Sequence, residues 1–222
     1  LNRLPDVPQR VFVLSPASCS GERAAILLRD EARFELALRL RGELGAPLGE
    51  VFAFLSGLYF RGKLTYARRF APETTERPGA LVITPRDGLL APEAMVRPSD
   101  LRGFARVRID ASNPLFRGPF LRDARALAER SAPDDQVVLL GSIATGKYVD
   151  VLLEVFGPRL LFPRDFVGRG DMSRGGLLLR RARAGRELVY ARVEGSTRRG
   201  PRPPRLPPPP RRRGPALPES AP

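Results

Sequence analysis

Residues Gly141-Ser142-Ile143-Ala144-Thr145-Gly146-Lys147 fit G-x-x-x-x-G-K, the glycine-and-lysine part of a phosphate-binding loop. In such a loop the glycines let backbone N–H groups close on an anion, and the lysine adds a compact positive charge. The next residue departs from the pattern. Tyr148 stands where a Ser or Thr hydroxyl would hold magnesium, and a phenol on a long stem does not replace it. Three readings stay open: a nucleoside triphosphatase loop, a looser anion-binding turn using Ser142, Thr145 and Lys147, or a plain strand-to-helix turn.

Two other stretches carry groups able to do chemistry. Residues 15–21, SPASCSG, put Ser15, Ser18 and Cys19 at a strand-to-helix junction. A helix N-terminus lowers a thiol pKa and would make Cys19 a nucleophile, although a free cysteine is more often simply buried. Ser15 and Ser18 are candidate ligand contacts. Residues 163–176 alternate in sign through Arg164, Asp165, Arg169, Asp171 and Arg174 among four glycines. A mobile lid bringing Arg169 and Arg174 to a phosphate or carboxylate has this composition, and so does a solvated loop. Asp87, Asp110 and Glu93 are further carboxylates near strand ends, with Asp87 a candidate general base.

Composition narrows the chemistry. The 222 residues contain no histidine, which excludes Ser-His and Cys-His nucleophile pairs, His-dependent hydrolysis and His-based metal sites. The single cysteine excludes an intramolecular disulfide and a thiolate zinc site, so neither metal nor cofactor is expected. Acid–base work falls to Asp, Glu, Lys, Tyr or Cys. A net charge of +14 attracts polyanions without specificity, although abundant Arg, Pro, Ala and Gly is also what a GC-rich genome gives. Of 38 Lys and Arg, only Lys63 and Lys147 are lysine, each following a glycine. A lysine kept where arginine prevails suggests a need for a compact or deprotonatable ammonium, and Lys63 joins Cys19 and Asp87 as a catalytic candidate.

The elements that must position these groups read as alternating strands and helices. Apolar runs at 10–14, 51–55, 80–84, 136–140 and 159–162 predict buried strands, with 106–110 as a short extra strand or extended connection. Helical spacing covers 22–44, 58–70, 115–130 and a segment from about Thr145. Partial alternation over 177–193 predicts a β-hairpin turning at Ala184-Gly185. The expected fold is a three-layer α/β domain over 1–195: a mostly parallel sheet of about five strands, helices on both faces, and that C-terminal hairpin. Ligands of such sheets bind at the carboxyl ends of the strands. That edge would gather 15–21, 56–57, 85–93, 141–147 and 163–176. Residues 196–222, with seven Arg and one Glu among many prolines, predict a disordered tail. No apolar run reaches the roughly 18–20 residues a membrane helix needs. A cytoplasmic protein without a membrane partner is expected.

The order of features from Val11 to Leu101 resembles a bacterial and phage α/β domain family of unknown function. That family is similar in turn to a domain of archaeosine-synthase-type RNA-modifying proteins. The matching features are the Ser/Cys turn with Cys19, then LYFRGKLTYA over 58–67, then GLLAPE over 88–93 with Pro98 and Asp100 beyond. Ser99 stands where that pattern often has an aromatic. The resemblance implies base or nucleoside chemistry on an α/β fold of the kind uracil-DNA glycosylases also use, though no glycosylase catalytic motif is present. Together these readings predict binding of a nucleotide, nucleoside or nucleic acid, with action on a base or N-glycosidic bond as one extension. Gly141, Ser142, Thr145, Gly146 and Lys147 would hold phosphate. A non-catalytic basic module and a partner-binding protein are the alternatives.

Overall fold

Runs such as RVFVL and QVVLL offer no polar face to water, so they are satisfied only when both sides of the strand are covered. The computed structural model, which describes residues 9–71 and 78–204, covers them in that way. The strands and helices in chain order are β1 (Arg10–Leu14), α1 (Glu22–Leu27), α2 (Glu35–Arg41), β2 (Ala46–Pro47), α3 (Leu48–Ser56), α4 (Leu58–Phe70), β3 (Ala80–Ile83), β4 (Leu89–Leu90), β5 (Met95–Val96), α5 (Pro98–Arg106), α6 (Pro114–Arg130), β6 (Gln136–Leu140), α7 (Gly146–Phe156), β7 (Leu160–Pro163), α8 (Asp171–Ala184) and β8 (Tyr190–Arg192). The main sheet has the order β4-β3-β1-β6-β7-β8. β3, β1, β6 and β7 run parallel, while β4 and β8 close the edges antiparallel. β2 and β5 form a separate two-stranded ladder.

Alternate strand residues face opposite layers. Phe12, Leu14, Val82, Val138 and Leu140 pack with α3, α4 and α8, whereas Val11, Val13, Ile83, Val137 and Leu139 pack with α6 and α7. The three-layer α/β architecture is therefore as expected, with six strands rather than about five.

Three local expectations are corrected. Residues 51–55 lie in α3, because Leu48, Val51, Phe52 and Leu55 are buried at helical spacing and a short apolar run does not by itself separate strand from helix. The hairpin over 177–193 is instead the end of α8, a short connection and β8. Its apparent alternation comes from Leu177, Leu178 and Ala182, which share one buried helical face with Arg174 and Gly175. The helical span 22–44 divides into α1 and α2; at 107–110 the second of the two readings holds, a connection without strand pairing that follows Arg106 at the end of α5.

β8 is tied to α4 through a phenol pair. The Tyr66 and Tyr190 hydroxyls lie 2.6 Å apart, and Tyr66 Oη also accepts the buried Leu188 N–H at 2.7 Å. Tyr66→Phe leaves that N–H without its acceptor, so a loss of about 1–3 kcal/mol in urea unfolding is expected. Residues 196–204 pack on the body, with Gly200 against Val167 and the Pro201 carbonyl against Gly168. The rest of the expected disordered segment, 205–222, lies outside the described residues. No helix among the described residues is long and apolar enough to cross a membrane.

Candidate functional site

β1 lies between β3 and β6, so the chain leaves the sheet in opposite directions around it, and a crevice opens at the carboxyl ends of β1 and β6. The two loops meet closely there. A Cβ on Gly141 would stand 2.9 Å from the Ser15 Cβ, so only glycine lets the β6 turn approach the β1 turn. A cavity of about 510 Å³ opens beside them, between the turn after β1, the end of α5 and the start of α7. Its charged lining groups are Arg106, Arg108 and Lys147, and no carboxylate lines it. Ser18 and Ser20 add hydroxyls, and Cys19 and Tyr148 add apolar surface.

Of the G-x-x-x-x-G-K turn, Lys147 alone enters this cavity, its Nζ 5.0 Å from the centre of the Tyr148 ring. Ser142 Oγ accepts the Ala144 N–H at 3.4 Å, and Thr145 caps α7 by position without a side-chain bond. The Asp150 carboxylate leans back over Gly146, where a Cβ would meet Oδ2 at 2.0 Å. Tyr148, in the magnesium hydroxyl's place, is a buried core ring set edge-on to Phe116. A carboxylate over the first turn and a core ring beside it do not suit a triphosphate with its metal. Of the three readings of the turn, the looser anion contact through Lys147 fits this geometry best. Among the described residues, no cluster of Cys, Asp and Glu stands ready to hold a metal ion.

The expected catalytic groups do not converge on the cavity. Lys63 is sealed in the core at 1% exposure, its Nζ donating to the Ser15 carbonyl at 2.5 Å and to Ser15 Oγ at 2.8 Å. It also lies 4.4 Å over the Tyr59 ring. Burial pulls its pKa down from 10.5 to about 7; the Asp171 charge opposes this and the Arg174 charge adds to it. Lys63 therefore positions the β1 turn and does not reach a ligand. Ser15 is likewise covered, its N–H and hydroxyl both directed to the Leu140 carbonyl. Asp87 pairs through both oxygens with Arg86, at 2.7 and 2.9 Å, and does not line the cavity. Burial pushes the Cys19 thiol up to about 12, the reverse of the expected activation, so it stays protonated at neutral pH.

The expected arginine lid is also corrected. Arg174 is buried in α8, donating twice to the Phe166 carbonyl at 3.2 and 3.0 Å with Asp171 at 3.5 Å. Arg169 turns toward Ser173 and the Pro204 carbonyl and does not line the cavity that Lys147 enters. The residues that sequence reasoning missed are Arg106 and Arg108. The signal was present in R-V-R-I, where alternation sets both arginines on one side, but the stretch reads equally as a buried strand with charged ends.

No family model matches the chain. Comparison with curated proteins and with solved structures likewise gives no significant match.

Proposed function

We propose that the protein binds a nucleotide, nucleoside or nucleic acid, taking an anionic group of it in the cavity at the carboxyl ends of β1 and β6. The observation behind this reading is the lining of that cavity: three cations, two hydroxyls and no carboxylate, within a volume that suits a ligand of nucleotide size. Arg106 and Arg108 offer planar forks for phosphate oxygens, and Lys147 offers a compact charge between them and the β6 turn. The resemblance of residues 11–101 to a family of unknown function, itself similar to a domain of RNA-modifying proteins, agrees with that ligand class.

Catalysis on a base or N-glycosidic bond has less support. Lys63 is sealed, Asp87 is paired outside the cavity, and Cys19 is a neutral thiol. The reading is therefore one of binding. Nucleoside mono- and diphosphates and short oligonucleotides should raise the melting temperature, as any ligand of the folded state does. Lys147→Ala and Arg106→Ala should each weaken binding about tenfold or more while leaving the unliganded melting temperature within a degree or two. Unchanged affinity in both variants would remove the cavity from the site.

A further inference from the structure

Beyond the first cavity, the carboxyl edge carries a second cationic recess of about 310 Å³, lined by Arg169, Arg180 and Arg202 and by no carboxylate. The two recesses flank the β6–α7 turn. Lys147 belongs to the first, and three residues earlier Arg199 Nε and Nη2 both reach the Ala144 carbonyl at 3.4 Å. From Arg199 the chain runs through Gly200 and Pro201, packed on Val167 and Gly168, to Arg202 in the second recess. Three residues of extended chain span about 10 Å, so the recesses are close neighbours. Three carboxylates near the two recesses face arginines: Asp110 faces Arg108 at 3.5 Å, Asp150 faces Arg198 at 3.9 Å, and Asp171 faces Arg174 at 3.5 Å. Arg169 Nε is buried with no hydrogen-bond partner among the described residues. Pro201, Pro203 and Pro204 hold Arg202 extended, so little conformational freedom is lost when it meets an anion.

We infer that a single-stranded nucleic acid, rather than a lone nucleotide, is the partner of this edge. Its backbone runs from the Arg106–Arg108–Lys147 cavity across Arg199 to the Arg169–Arg180–Arg202 recess. Successive phosphates need successive cations, and two carboxylate-free recesses bridged by an arginine supply them. A duplex is too bulky to enter recesses of about 510 and 310 Å³, whereas a single strand can follow its phosphates into both. Guanidinium groups on phosphates read no base, so the binding is independent of sequence. This inference rests on the proposed function and extends it from one ligand unit to a strand.

The test uses the full chain and compares a thymidine monophosphate, a labelled thymidine octanucleotide and a duplex of equal length, by calorimetry and fluorescence anisotropy. The expected order is octanucleotide tightest, at least tenfold above both others. Arg199→Ala combined with Arg202→Ala should cut octanucleotide affinity about tenfold and lower the slope of log affinity against log salt by ~1.4, for two phosphates. The same variant should leave monophosphate binding within twofold, and Lys replacements at both positions should restore most of the loss. The later arginines are present in both proteins, so the difference isolates these two. An octanucleotide no tighter than the monophosphate, a duplex as tight as the single strand, or an unaffected double variant would each overturn the strand while leaving the first cavity standing. Absence of binding by every probe would overturn both readings.

Discussion

Gly175→Val is expected to lower the unfolding free energy by more than about 3 kcal/mol, and Gly175→Ala by about 1–3 kcal/mol, read as shifted urea midpoints. α4 and α8 cross with almost nothing between them. A Cβ on Gly175 would lie 2.7 Å from the Leu58 carbonyl oxygen and 2.8 Å from the Tyr59 Cα, and one on Gly62 would lie 2.7 Å from the Gly175 carbonyl oxygen. These obstacles are backbone atoms, so no side chain can swing aside and the helices themselves must separate. The sign makes the test sharp. At an open helical position alanine is favoured over glycine by about 1 kcal/mol, so a stabilised Gly175→Ala would show that the helices are not in contact here. The same crossing explains why LYFRGKLTYA is helical despite its glycine. Gly62 lets α8 approach, and Lys63 on the next step points under the end of β1.

The second large effect concerns pH. Lys63 has a folded pKa near 7 against an ordinary 10.5, so between those values the unfolded chain holds a proton that the folded chain has released. Stability then rises with pH across that window, and it is lost as pH falls from 10.5 through about 7. From pH 7 to pH 9 the unfolding free energy should grow by about 2 kcal/mol. Above about pH 9 the trend reverses. Burial raises the pKa of Cys19, Tyr59 and Tyr148, so the folded state keeps protons that the unfolded chain gives up, and stability falls. Lys63→Met should flatten the rise between pH 7 and 9 while keeping the fall at higher pH. Identical profiles for the two proteins would mean that the ammonium is not desolvated as described.

The strands that define the sheet were legible because β1, β3, β6 and β7 are continuous apolar runs bounded by turn residues. The edges were not. β4 has two residues and β8 has three, too few to show any period. The run over 51–55 does not reveal α3, because five apolar residues in a row suit either element, and only contacts with α1 and α4 decide between them. At the site, Lys147 and Ser18 could be named from their turns, since the carboxyl-edge rule turns chain position into spatial position. Lys63 could be singled out but not assigned a task, because nothing in its neighbours shows that Ser15, 48 residues earlier, receives its ammonium. Arg106 closes α5 and Arg108 lies in the irregular connection after it, so no single period in the sequence brings the two together beside Lys147.

The return of residues 196–204 to the carboxyl edge has a practical side. The Pro204 carbonyl accepts from Arg169 Nη1 at 3.5 Å, so a fluorophore attached at that point would sit beside the second recess and report its occupancy. A probe placed there follows the second recess without touching Lys147, so filling of the two recesses can be told apart.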